Sequence, residues 1–65
     1  MKLYELCIED EWDENIYVTN KKTIDDVMKQ AENHDPLIMF EDDLGNKAWY
    51  RAETIKNISY WEYFI

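Results

Sequence analysis

Hydrophobic residues change their spacing twice along this chain, and that change limits the fold more than any motif does. Tyr4, Leu6 and Ile8 alternate with Leu3, Glu5, Cys7 and Glu9, the period of two expected of a strand with one strongly apolar face. Ile16 and Val18 repeat the pattern beyond the acidic stretch IEDEWDENI (Ile8 to Ile16). The two runs are predicted to form a hairpin, with the acidic residues as its connection and strand ends. Ile24, Val27, Met28 and Ala31 then fall at i, i+3, i+4 and i+7, which predicts an amphipathic helix over Thr23–Glu32. Thr23 reads as its N-cap, with Asp25 and Asp26 in the first turn where the helix dipole favours negative charge. Pro36 disfavours helical backbone at Asp35, so the helix should end near Asn33 or His34.

After the proline the strand pattern returns. Leu37–Phe40 reads as a buried strand, Glu41–Asn46 as a turn and Lys47–Ala52 as the returning strand. After a bend near Glu53–Lys56, the aromatic and β-branched run Ile58–Ile65 reads as a third strand. The expected fold is a single α+β domain over residues 1–65, of order ββαβββ. One helix packs on a mostly antiparallel sheet, either open or curled into a small barrel.

One three-turn helix covers only part of one sheet face. Tyr4, Leu6, Ile8, Ile16, Val18, Met39, Tyr50, Ile58 and Tyr60 are expected beneath it. By alternation the opposite face should carry Leu3, Cys7, Tyr17, Ile38, Phe40, Trp49, Trp61 and Tyr63, more apolar than a solvated face would be. Barrel closure, self-association or a bound protein would each account for that surplus.

Charge narrows the choice of partners. Fifteen acidic side chains against seven basic ones leave a net charge of -8, so direct nucleic-acid binding, which depends on Lys and Arg displacing counterions from phosphates, is not expected. An aromatic sheet face for stacking single-stranded RNA would have only Lys47 and Arg51 for its basic surround. The same negative field attracts and steers basic proteins. No stretch reaches the ~18 apolar residues of a membrane span, and the N-terminus turns acidic before a signal-peptide core could form, so a cytoplasmic location is expected. The single Cys7 lies between Leu6 and Ile8 and reads as a small buried hydrophobe.

Catalysis, metal binding and cofactors are not expected. The chain has one His, one Cys and one Ser, His34, Cys7 and Ser59, too few for a nucleophile with its base and orienting group. His34 falls at the helix C-terminus, where a donor side chain suits the exposed carbonyls. Acid–base work needs two carboxyls in different environments inside a cleft, and acids clustered at the surface beside water are not expected to provide the raised pKa. A Ca2+ loop of the EF-hand type wants Gly at its sixth position and Glu at its twelfth. Counting from Glu9 those positions hold Glu14 and Asn20, and counting from Asp10 they hold Asn15 and Lys21. Zn2+ would lack a second Cys or His.

The acidic residues and exposed aromatics remain as candidates for partner binding. They are Glu9, Asp10, Glu11, Trp12, Asp13 and Glu14 in the first cluster, Glu41, Asp42 and Asp43 in the second, and Trp49, Trp61 and Tyr63 on the strands. Charge at a hairpin end also protects strand edges from unwanted pairing, but a tryptophan among carboxylates suits an interface anchor. The clusters EDEWDE and FEDD, beside the aromatic strand SYWEYF, resemble in general character the small acidic phage-encoded inhibitors of host enzymes, which include nucleic-acid mimics and anti-CRISPR and anti-restriction proteins. That resemblance implies a non-enzymatic inhibitor that occludes a basic, nucleic-acid-binding protein. It carries over no individual residue. The alternative is a scaffold domain that forms a homodimer through its aromatic sheet face.

Overall fold

A short turn at Glu11–Trp12 sets the register of the first hairpin. The Asp10 amide donates to the Asp13 carbonyl at 2.9 Å, and Asp10 Oδ1 accepts from the amides of Trp12 and Asp13 at 2.8 and 2.7 Å. The side chain thus closes the turn as a backbone acceptor would. In the computed structural model, which describes all 65 residues, this turn joins β1 (Lys2–Asp10) to β2 (Glu14–Thr19). Helix α1 (Lys21–Glu32), strands β3 (Leu37–Glu41) and β4 (Lys47–Arg51), a 3-10 turn at Ala52–Thr54 and strand β5 (Ile55–Phe64) follow. The order ββαβββ and the α+β class are as expected. No helix is long and apolar enough to cross a membrane.

The strands do not close into a barrel. They form two antiparallel sheets, a three-stranded one in the order β2-β1-β5 and the separate β3-β4 hairpin. Helix and hairpin share the second layer and cover one face of the three-stranded sheet. Between the layers lie Tyr4, Leu6 and Ile8 of β1, Ile24 and Val27 of α1, Ile38 and Phe40 of β3, and Tyr50 of β4. Cys7, on the opposite face of β1, is also buried.

Two strands have the reverse phase from that expected. The Glu11–Trp12 turn sets Leu6 opposite Tyr17 and Cys7 opposite Ile16, so Ile16 and Val18 share the outer face with Cys7. Tyr17 turns inward instead, its ring edge-on to Phe40 with centroids 4.9 Å apart. A loop one residue longer or shorter would invert this, since side chains alternate strictly along a strand. On β3, Ile38 and Phe40 are buried and Met39 is 58% exposed. The cause is Gln30, whose side-chain amide donates to the Met39 carbonyl and whose Oε1 accepts from the Met39 amide, both at 2.9 Å. The helix therefore lies beside β3, and Met39 points away from the core. Tyr60 faces the helix side but is half covered, with Lys21 Nζ 5.4 Å from its ring centroid.

The helix starts earlier than Thr23. Asn20 is the N-cap, its Oδ1 accepting from the Thr23 amide at 2.9 Å while its Nδ2 donates to Asp43 Oδ1 at 2.7 Å. Asn20 thereby ties the helix start to the β3-β4 turn. Asp25 and Asp26 consequently lie beyond the first turn, Asp25 paired with Lys21 at 2.7 Å and Asp26 accepting from Gln30 at 3.0 Å. At the other end, Asn33 is the C-cap and His34 adopts φ 57. The His34 amide donates to the Ala31 carbonyl and the Asp35 amide to that of Gln30, both at 3.1 Å. This is the Schellman arrangement with histidine where glycine is favoured. His34→Gly should raise stability by about 1 kcal/mol, measured by urea unfolding, because glycine enters the left-handed region without a Cβ clash.

Candidate functional site

The outer face of the three-stranded sheet is built from alternate residues of β1, β2 and β5. Register places Trp61, Glu5 and Val18 in one row, Ser59, Cys7 and Ile16 in the next, and Asn57, Glu9 and Glu14 in the third. Tyr63 and Leu3 complete it at the other end. Nothing covers this face: Ile16, Trp61 and Tyr63 are 58%, 50% and 44% exposed. None of these positions is a lysine or arginine.

The carboxylates act on their neighbours. Glu5 lies beside the Tyr63 hydroxyl and raises its pKa, with a smaller contribution from burial. Burial first, and then Glu14, push the Cys7 thiol up, which suits a packed thiol rather than a nucleophile. Glu9 and Glu14 face each other directly across the ladder, a like-charge pair that costs stability.

The first acidic cluster is divided between two sides of the molecule. Glu9 and Glu14 belong to the outer face, whereas Trp12, 71% exposed at the turn, lines a cleft of about 330 Å³ with Asp10, Trp49, Tyr50, Arg51 and Thr54. Trp49 therefore stands with Trp12, and away from Trp61 and Tyr63. The cleft carries both an acid and a base, so charge alone selects no ligand for it. Glu11 and Asp13 are exposed on the turn itself. A second groove, about 670 Å³, opens at the C-terminal end of α1 between Ala31, Ile38, Ala52, Ile55 and Ile58, with His34, Asp35, Arg51 and Glu53 also lining it.

The second acidic cluster sits at the far end of β2 from the first. Its turn is bound there by the Asp43 amide, which donates to the Val18 carbonyl at 2.9 Å. Glu41 is exposed and pairs across the ladder with Lys47. Asp42 is withdrawn from the surface at 6% exposure. It accepts from the amides of Leu44 and Asn46 at 3.0 and 2.8 Å and from Asn46 Nδ2 at 3.0 Å. Burial pushes the Asp42 carboxyl up, but these hydrogen bonds outweigh it and hold the pKa below the usual carboxylate range. Asp42 builds the turn and is not presented to a partner, and the two acidic clusters do not form one patch.

Glu5, Ile16 and Val18 were not among the expected site residues. The signal for Ile16 and Val18 was the length of the turn, which pairs residues whose numbers sum to 23. Glu5 was legible as an outer-face residue of β1 but not as the centre of the exposed patch, because β5 reaches β1 from the other end of the chain. Compared with family models, curated proteins and solved structures, the chain matches none.

Proposed function

We propose that this protein is a non-enzymatic binding module whose outer sheet face docks on a basic surface of another protein and occludes it, a nucleic-acid-binding enzyme being the partner class that fits. The observation that carries this reading is the sharing of one uncovered face by Glu5, Glu9 and Glu14 with Ile16, Trp61 and Tyr63, without a cation among them. Carboxylates on a sheet supply the charge that phosphates supply to such a partner, and Trp61 supplies the large apolar anchor that interface centres favour. Self-association through this same face is less well supported, since it would bring the carboxylates of two copies together.

Stability and binding should separate at Glu14. Replacing Glu14 by Gln removes the repulsion from Glu9 and should raise stability by about 0.5 kcal/mol. The same change should weaken capture of the partner from host lysate, and Glu5→Lys with Trp61→Ser should abolish it. The captured protein should be basic and should be lost at high salt. Capture that survives both salt and the Glu5, Trp61 double variant would refute the assignment of this face.

A further inference from the structure

We propose that the cleft lined by Trp12 and Trp49 binds a choline phosphodiester, its quaternary ammonium against the two indoles and Asp10 and its phosphate on Arg51. None of these residues belongs to the outer sheet face, so the site stands independently of any basic partner.

Two indoles from distant parts of the chain meet here in water. Trp12 stands on the β1-β2 turn and Trp49 on β4, 71% and 64% exposed. Neither is taken by a cation of the chain, whose cation–ring contacts are Lys2 with Phe64 and Lys21 with Tyr60. Arg51 follows Trp49 two residues along the same side of β4 and lines the same cleft. The Thr54 hydroxyl, donating to the Arg51 carbonyl at 2.8 Å, holds the strand end that carries it. The guanidinium nevertheless pairs with no carboxylate, since the ion pairs are Lys2 with Glu62 and Lys21 with Asp25. Asp10 commits Oδ1 to the turn amides and leaves Oδ2 free. The cleft thus holds an acid and a base that do not meet, beside two open indoles.

Charge alone selects no ligand here, but charge with spacing and wall chemistry does. Separated opposite charges suit a ligand that carries both, because a simple ion would meet its like charge as well as its partner. Residues two apart on a strand are about 6.7 Å apart, so a cation on Trp49 and an anion on Arg51 need a spacer between them. An α-amino acid, whose ammonium and carboxylate share a carbon, is too short. A choline ester, with an ethylene bridge and an ester oxygen between nitrogen and phosphorus, has the reach. A primary ammonium would want an acceptor for each of its hydrogens, and Asp10 Oδ2 is one acceptor. A trimethylammonium makes no such demand and packs its methyl groups on indole, the ring that attracts cations best. A diester also leaves the ligand without net charge, so the protein's -8 does not repel it as it would the phosphates of a nucleotide. A volume of about 330 Å³ lies at the small end of ligand sites and suits a molecule of this size.

The three tryptophans report on the site directly. Glycerophosphocholine titrated into the full chain should shift the indole N–H signals of Trp12 and Trp49 saturably in proton–nitrogen correlation spectra and leave that of Trp61 in place. The Kd should be on the order of 0.1–1 mM, as fits a ligand of few atoms. Glycerophosphoethanolamine, which lacks the methyl groups, should bind about 10-fold more weakly, and Trp12→Ala and Trp49→Ala should each weaken glycerophosphocholine by about the same factor. Arg51→Gln should weaken glycerophosphocholine about 10-fold and should not weaken choline chloride, a split that a general loss of structure would not produce. Flotation with phosphatidylcholine vesicles distinguishes the sources: co-flotation assigns the site to a lipid headgroup, and binding of the soluble ester alone assigns it to a free ester. No saturation by roughly 20 mM, equal binding of the ethanolamine ester, or unchanged affinity in Arg51→Gln would overturn the proposal. So would a saturable shift confined to Trp61, which would place the ligand on the outer face. Trp12, Trp49 and Arg51 are exposed, so their variants should fold; circular dichroism checks this, and if one unfolds the other two decide.

Discussion

Leu6→Ala should cost the protein about 3 kcal/mol, measured by urea unfolding. Leu6 is fully excluded from solvent at the centre of β1, between Tyr17 and Tyr60 on the flanking strands and beneath the second layer. Truncation removes buried methyl groups and leaves a cavity that β1, pinned on both edges, cannot collapse to fill. Domains of this length have roughly 3–10 kcal/mol in all, so the variant should melt about 12–24 °C lower or fail to fold at 37 °C. Ile16→Ala is the informative contrast. Ile16 is 58% exposed on the outer face, and its truncation should cost less than about 1 kcal/mol. Equal losses at the two positions would mean that β2 packs in the opposite phase.

The second large effect should appear at alkaline pH. Tyr50 is buried beneath the hairpin, where its hydroxyl meets that of Tyr17 and accepts from Asn15 Nδ2 at 3.3 Å. This cluster joins the β3-β4 hairpin to β2. Burial above all, and then the Tyr17 hydroxyl, push the Tyr50 pKa well above its ordinary value. The folded state therefore prefers the neutral phenol. Stability from this preference is fully present below the unfolded value near 10 and is lost as pH rises from there towards the folded pKa. The slope should approach about 1.4 kcal/mol per pH unit, less in so far as water reaches the hydroxyl. Tyr50→Phe should be weaker by about 1 kcal/mol at pH 7, from the lost hydrogen bonds. Above pH 10 its stability should fall less steeply, so the two curves converge. Curves that stay parallel to pH 12 would show that Tyr50 is not protected from ionisation.

Some of this architecture was legible without coordinates because it depends on neighbours in the chain. The alternation in Tyr4, Leu6 and Ile8 and the helical spacing of Ile24, Val27, Met28 and Ala31 each specify an element and its apolar side. The helix end was legible too, since Pro36 and the residues before it act within one turn. The helix start was misread at Thr23 because Asn20 and Thr23 are both good caps. Asn20 prevails with a second partner, Asp43, twenty-three positions away.

Phase and assembly of the strands were a different matter. Whether Ile16 or Tyr17 faces the core depends on the length of one turn, and whether Met39 or Ile38 does depends on a hydrogen bond from Gln30. Both alternatives bury an apolar residue, so composition does not separate them. The same holds for the candidate site. Glu9, Glu14, Trp61 and Tyr63 were recognisable as residue types, but their union with Glu5 and Ile16 on one surface, and the removal of Trp12 and Trp49 to another, follow from β5 pairing with β1 across the length of the chain. The sequence by itself determined the elements, their order and the excess of negative charge, because these rest on local spacing and on composition. Tertiary structure alone decided which carboxylates and aromatics share a face, because that depends on strand register and on pairing between residues far apart in the chain.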